Sequence, residues 1–112
     1  MSFYLPEGNL LFTKENRENL SSLAALERSR DKNVVVEGLA VLCDENKNLH
    51  VKIGKYEGIV PREEAVYSPS EEIKDIAILT RVGKPVSCLI KDILTEGDKT
   101  VLLLSRKAAQ EK

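Results

Sequence analysis

The chain has 112 residues, with 17 basic and 18 acidic side chains and a formal charge of −1 at pH 7. This length suits a single domain. The 42% hydrophobic fraction allows a modest core beside a 31% charged fraction, a balance that excludes a disordered chain. The near-zero net charge excludes a strongly basic nucleic-acid-binding arm and an acidic tail.

Cysteine and histidine content bears on disulfides and metal sites. Cys43 and Cys88 are far apart in the sequence and have apolar neighbours. We predict two buried, reduced thiols, with a single disulfide as the alternative, because small disulfide-stabilised domains normally contain more cysteines. His50 is the one histidine and no CxxC pair occurs, so the sequence does not supply the three or four ligands of a zinc site. No cofactor is predicted.

No stretch of the sequence suits a signal peptide or a membrane span. The apolar N-terminus is interrupted early by Pro6, Glu7 and Gly8. No window approaches the roughly 18–20 apolar residues that a spanning helix requires. We therefore expect a cytoplasmic protein without membrane association.

Residues 1–32 are predicted to form a helical N-terminal extension. Thr13 and the pair Ser21–Ser22 suit helix N-caps. Isolated helices this short are unstable in water, so their apolar stripe should dock on the rest of the chain, or alternatively on another protein or a second copy. The stripe consists of Leu20, Leu23, Ala24 and Leu26.

Short strands and turns are predicted from residue 33 onwards. Val34–Cys43 is an apolar run in which Gly38 suggests a bulge or a sharp bend. Residues 49–53 alternate between apolar and polar, as in a strand with one buried face. Turns are expected at residues 44–48 and 81–84. Further strands are predicted at Tyr56–Val60, Pro85–Leu94 and Thr100–Leu104.

An insert separates the third and fourth predicted strands. Arg62–Val66 has the composition of a short helix, Ser68–Ser70 breaks it, and Ile76–Leu79 is predicted to be extended. Five strands with such an insert predict a mainly β fold, a five-stranded OB-type Greek-key barrel. The barrel would span residues 33–107, followed by a short C-terminal helix capped by Ser105 and a tail at 108–112. An SH3-like barrel with added helices is the alternative.

Five short segments within residues 33–107 match a known domain family in their order and spacing. They are Val35–Ala40, Asn48–Ile53, Glu57–Pro61, Val82–Val86 and Leu103–Lys107. In order and spacing they resemble the ribosomal S1-type RNA-binding domain, and the whole chain is similar to short stand-alone bacterial proteins built around one such domain. The resemblance implies an OB barrel that binds RNA on one face through aromatic and basic residues of strands two and three.

The family stacks bases on aromatic side chains at three positions, which the resemblance places at Lys47, His50 and Pro61. Of these three residues, only His50 has a ring that could stack on a base. Each stacked base contributes about 1–3 kcal/mol. The two missing rings therefore correspond to roughly 30-fold to 10⁴-fold lower affinity. Weak binding of RNA is expected.

Basic and aromatic residues around these strands form the predicted RNA-binding site. His50 and Lys52 are predicted to point to the same side of their strand, although a solvated polar face is the alternative. The pair Arg106–Lys107 lies where the family often carries basic residues, and a helix with cations near its C-terminus is the alternative. The predicted site is Lys47, His50, Lys52, Lys55, Tyr56, Arg62, Lys84, Arg106 and Lys107.

These observations predict a non-catalytic module that binds single-stranded RNA weakly, in association with the ribosome or messenger RNA. No Gly-rich phosphate loop or Ser–His–Asp arrangement occurs, and the pairs Glu63–Glu64 and Glu71–Glu72 lie in polar segments, so no catalytic site is expected. The alternative is a degenerate S1-like barrel that binds proteins, to which the missing aromatics and the N-terminal extension point.

Overall fold

The computed structural model describes residues 10–65 and 78–111. Helices and strands follow each other in the order predicted for an OB-type barrel with flanking helices. The elements are α1 (Lys14–Asn19), α2 (Leu23–Asp31), β1 (Val36–Cys43), β2 (Leu49–Ile53), β3 (Tyr56–Val60), a 3₁₀ turn (Arg62–Glu64), β4 (Pro85–Glu96), β5 (Lys99–Ser105) and α3 (Arg106–Glu111).

Hydroxyl caps start the two N-terminal helices as predicted. The Thr13 hydroxyl accepts a hydrogen bond from the backbone N–H of Asn16, and the Ser22 hydroxyl accepts one from Ala25, each at 3.1 Å. Leu20 and Leu26 are buried in the barrel core. The helices pack on each other, with α1 on β1 and α2 on β4. The helices therefore dock on the rest of the chain as predicted, but the predicted stripe is only half correct, because Leu23 and Ala24 are exposed and Ala25 is buried instead.

The five strands form a closed barrel in the order β1-β2-β3-β5-β4. β3 and β5 pair in parallel, while the other neighbouring strands pair antiparallel. Closure pairs every strand on both sides, which removes exposed sheet edges. The predicted mainly β, OB-type fold with flanking helices is confirmed.

Alternating side chains of the strands point inward and fill the barrel. The alternation in β2 buries Leu49, Val51 and Ile53 and leaves the residues between them more exposed. Cys88 is buried and Cys43 is half-buried, and both are free thiols, so the alternative disulfide does not form. The remaining core side chains include Val36, Ala40, Val60, Ala65, Ile78, Val86, Ile90, Leu102 and Leu104.

Three local predictions need correction. The irregularity in β1 lies between Ala40 and Leu42 rather than at Gly38, because Gly38 serves instead as a point of close approach to β2. The predicted helix at 62–66 is a 3₁₀ turn at Arg62–Glu64. Ile78 and Leu79 are helical rather than extended.

The predicted break at Ser68–Ser70 and the start of the extended segment, residues 76 and 77, lie outside the described residues. The C-terminal helix begins at Arg106 and runs through most of the predicted tail. Its start is capped by the Ser105 hydroxyl, which accepts from the backbone N–H of Ala108 at 2.9 Å. Within residues 10–65 and 78–111, no helix is both long and apolar enough to cross a membrane.

Candidate nucleic-acid interface

The outward side of β1, β2, β3 and β5 carries the central part of the predicted site. Residues paired directly across neighbouring strands point to the same side of a sheet, so the strand register defines this surface. We call it the outer face. It consists of two rows, Leu42–His50–Ile59–Leu103 and Leu39–Lys52–Glu57–Val101.

Apolar side chains dominate the outer face. The irregularity in β1 leaves both Val41 and Leu42 outward, with 49% and 47% of their surface exposed. Together with Ile59 and Val101 they line a groove of about 580 Å³ that also contains His50 and Lys52. Unstacked bases are flat and partly apolar, so aliphatic side chains of this kind can cover them and exclude water.

The His50 ring is held by an acidic partner. Its Nε2 lies 3.0 Å from Oδ2 of Asp44. The other carboxylate oxygen of Asp44 accepts hydrogen bonds from the backbone N–H groups of Asn46 and Asn48, at 2.9 and 3.0 Å. The hydrogen bond from His50 lowers the pKa of Asp44, with a further contribution from the Asn48 N–H. The ring therefore has a defined orientation, beside a carboxylate that stays charged at neutral pH.

A second carboxylate, that of Glu57, lies among the lysines of the outer face. Lys52 pairs in register with Glu57, whose carboxylate lies 3.6 Å from Nζ of Lys99 on β5. Lys99 and Glu57 are both exposed, so their ion pair contributes little stability and is screened by salt. The groove of the outer face is largely apolar, and Lys52, Lys55 and Lys99 line it together with the carboxylate of Glu57.

Lys55 and Tyr56 border the groove at the turn between β2 and β3. Nζ of Lys55 lies 5.5 Å from the centroid of the Tyr56 ring, within the range of a cation–π contact. The turn depends on Gly54, whose φ is +61°. Both predicted residues therefore lie beside the outer face.

Lys47 and Arg62 lie at the opposite end of β2. Lys47 has a φ of +65°, and its backbone N–H donates to the carbonyl oxygen of Asp44 at 3.0 Å. The Arg62 backbone N–H donates to the side-chain oxygen of Asn48, also at 3.0 Å. These two contacts bring Lys47 and Arg62 to the turn that holds His50.

The remaining predicted residues lie elsewhere. The Lys84 carbonyl accepts from the backbone N–H of Ala40 at 3.0 Å, which places Lys84 across β1 from β2. Arg106 is 7% exposed, and its guanidinium donates to the carbonyl oxygen of Ala65 at 2.9 Å. Lys107 follows it, half-buried, in α3. The burial and the hydrogen bond of Arg106 give it a structural role, so we omit it from the interface.

The N-terminal helices leave the outer face open. In the described part of the chain, its groove is lined by residues of the strands and the β2–β3 turn. α1 and α2 pack instead against β1 and β4, and Leu20 packs near Gly54.

Comparison with known proteins bears on the fold. No family model and no curated protein matches the chain. Among solved structures, GSP13 from Bacillus subtilis is similar, with 20% sequence identity and a TM-score of 0.55. The match covers 71% of this chain and 58% of the GSP13 chain. This similarity supports the OB-type fold.

Proposed function

We propose that the chain is a non-catalytic module of the cytoplasm that binds single-stranded RNA weakly on the outer face. The arrangement around His50 carries this proposal. The oriented ring lies in register between Leu42 and Ile59, and Lys52 and Lys55 line the same groove. Rings and apolar side chains accommodate bases, while ammonium groups contact phosphates. The resemblance of the sequence to S1-type domains extends the proposal to ribosomal or messenger RNA.

Binding is expected to be weak and only moderately dependent on salt. The groove offers one imidazole and few cations, so few phosphates can be neutralised, and the slope of log K against log salt should be shallow. Titration of the labelled protein with a short oligouridylate in low salt should shift the amide NMR resonances of β2 and β3. Unchanged resonances at near-millimolar RNA would contradict the proposal.

Replacing His50 with alanine should weaken RNA binding about fivefold or more, because a stacked ring contributes on the order of 1 kcal/mol or above. The free energy of unfolding should change by less than about 1 kcal/mol, since the contact with Asp44 is a partly exposed pair. His50→Phe is the matched variant, because it keeps a ring and loses the bond to Asp44. Equal RNA affinity of wild type and His50→Ala would remove His50 from the interface.

Replacing Asp44 with asparagine should strengthen RNA binding about two- to fivefold at low salt. The substitution removes a negative charge beside His50, and charges about 4 Å apart in water interact by about 1 kcal/mol. Asparagine keeps an oxygen for the N–H groups of Asn46 and Asn48, so the turn should persist. Titration by fluorescence anisotropy measures the effect, which should shrink as salt screens it.

The neighbouring Glu45 provides the control for this measurement. It is exposed in the same turn, and Glu45→Gln changes the net charge by the same amount. If Glu45→Gln strengthens binding as much as Asp44→Asn does, the effect comes from net charge and not from the outer face.

A second candidate function is a protein-interaction module, which the apolar character of the outer face favours. Leu39, Val41 and Leu42 expose between 37% and 49% of their surface. A pull-down from cell lysate with and without ribonuclease separates the two functions. Recovery of one stoichiometric protein regardless of nuclease supports the second candidate, whereas nuclease-sensitive recovery of ribosomal material supports RNA binding.

A further inference from the structure

Phe12 presents its ring to solvent from a fixed turn. Its side chain is 87% exposed, the largest value among the exposed large apolar residues of the described chain. The turn is closed by Thr13, whose backbone N–H and hydroxyl both donate to the Leu10 carbonyl, at 2.9 and 2.8 Å. The Leu10 N–H in turn donates to the buried carboxylate of Glu37. The backbone that carries Phe12 is thus bonded to β1.

Asn16 fixes the same segment to the barrel from the other side. Its side-chain amide donates to the Glu37 carbonyl at 3.0 Å and accepts from the Glu37 N–H at 2.9 Å. These two bonds satisfy the backbone N–H and carbonyl of Glu37 in the way that a neighbouring β-strand would. The position of Phe12 relative to β1 is therefore set by contacts on both sides of it.

A cleft of about 510 Å³ separates α1 from the turn between β2 and β3. Arg17 and Lys55, from opposite walls, are both exposed. Neither carries an ion pair within residues 10–65 and 78–111. The lining includes Phe12, Arg17, Leu20, Glu37, Gly54 and Lys55.

Lys55 joins this cleft to the outer face, because it lines both cavities. A polymer lying along the outer face would meet the cleft at this residue. On the outer face, Lys52 and Lys99 lie near the carboxylate of Glu57. Arg17 and Lys55 form no ion pair within the described residues. The carboxylate of Glu37, which also lines the cleft, is buried and accepts from the Leu10 N–H. The cleft is therefore the better place for phosphates.

We propose that single-stranded RNA on the outer face continues past Lys55 into this cleft, where Phe12 stacks on a base and Arg17 and Lys55 contact phosphates. The inference rests on the proposed function and lengthens its binding site. An aromatic ring beside unpaired cations is the combination that binds single strands without sequence preference. Phe12 would supply from the N-terminal extension the kind of ring that Lys47 and Pro61 do not offer.

The length of the RNA tests this inference. We would measure Kd by fluorescence anisotropy for oligouridylates of about 4 and about 10 nucleotides, lengths within the range of single OB-type barrels. Phe12→Ala should weaken binding of the longer RNA about 5- to 100-fold and leave the shorter RNA unaffected. Phe12→Tyr keeps the ring and should bind both as the wild type does. His50→Ala should weaken binding of both.

Leu23→Ala is the matched control, since Leu23 is an exposed apolar residue of α2 outside the cleft, and it should change neither affinity. If Phe12→Ala binds the longer RNA as tightly as the wild type does, while His50→Ala binds it more weakly, the inference is overturned and the proposed function stands. An equal loss for both RNA lengths in Phe12→Ala also overturns it, because the cleft would then not extend the site. Failure of the wild type to bind either RNA overturns both proposals.

Discussion

Replacing Asn16 with alanine should lower the free energy of unfolding by about 2–4 kcal/mol. The Asn16 side chain is 5% exposed and Glu37 is 1% exposed, so water cannot replace the two hydrogen bonds between them. A buried backbone group that loses its partner costs about 1–3 kcal/mol, and here an N–H and a carbonyl are both affected. Urea denaturation followed by circular dichroism measures the change.

Two further variants test whether the loss of stability comes from the bonds between Asn16 and Glu37. Asn19→Ala changes the same residue type in the same helix, and because Asn19 is only half-buried, it should cost less than about 1 kcal/mol. Asn16→Asp retains an acceptor for the Glu37 N–H but places a buried carboxylate oxygen against the Glu37 carbonyl oxygen, so a loss at least as large as that of Asn16→Ala is expected. If Asn16→Ala and Asn19→Ala unfold at the same urea concentration, the bonds to Glu37 do not anchor α1.

Local features of the fold could be predicted from the sequence because neighbouring residues determine them. The cap at Ser22 needs only a hydroxyl and the N–H three residues later. The alternation of residues 49–53 predicted their inward and outward sides because the side-chain period of a strand is two. The number and order of the strands then indicated a small closed barrel.

Contacts between residues distant in the sequence could not be predicted in this way. Asn16 contacts Glu37, 21 positions away, and Arg106 contacts the Ala65 carbonyl, 41 positions away. Neither residue type requires such a partner, since Asn and Arg are usually exposed. The sequence therefore placed Arg106 in the predicted RNA site, although in the structure its guanidinium is buried and donates to the Ala65 carbonyl.

The character of the outer face also depends on register. The sequence identified His50 and Lys52 as outward residues, but their cross-strand neighbours follow from the pairing of β2 with β1 and β3. That pairing places Leu42 and Ile59 beside His50 and Glu57 beside Lys52. The partner Asp44 had a local indication, because a short turn separates it from His50 and an aspartate in a turn often bonds the following backbone N–H groups. Register thus places apolar side chains and a carboxylate beside the predicted His50 and Lys52.

Replacing Gly38 with alanine is expected to destabilise the barrel by about 3 kcal/mol. A Cβ at this position would lie 2.7 Å from the Lys52 carbonyl oxygen and 2.7 Å from Cγ1 of Val51. Overpacking a core costs about 1–3 kcal/mol, occasionally more. We expect the upper value, because the Lys52 carbonyl belongs to the backbone of β2 and cannot withdraw without moving that strand away from β1.

Two other glycines separate this steric effect from the general effect of adding a methyl group. At Gly97 the space is open but φ is +60°, so alanine should cost only the roughly 1–2 kcal/mol of a left-handed conformation. At Gly58 the nearest atom is Cδ1 of Leu104, a side chain that can change rotamer, so a smaller loss than at Gly38 is expected. Thermal and urea denaturation should therefore rank Gly38→Ala as the least stable of the three variants. Since β2 carries His50 and Lys52, Gly38→Ala should also weaken RNA binding. If Gly38→Ala is instead as stable as Gly97→Ala, β1 and β2 can move apart at little cost in free energy.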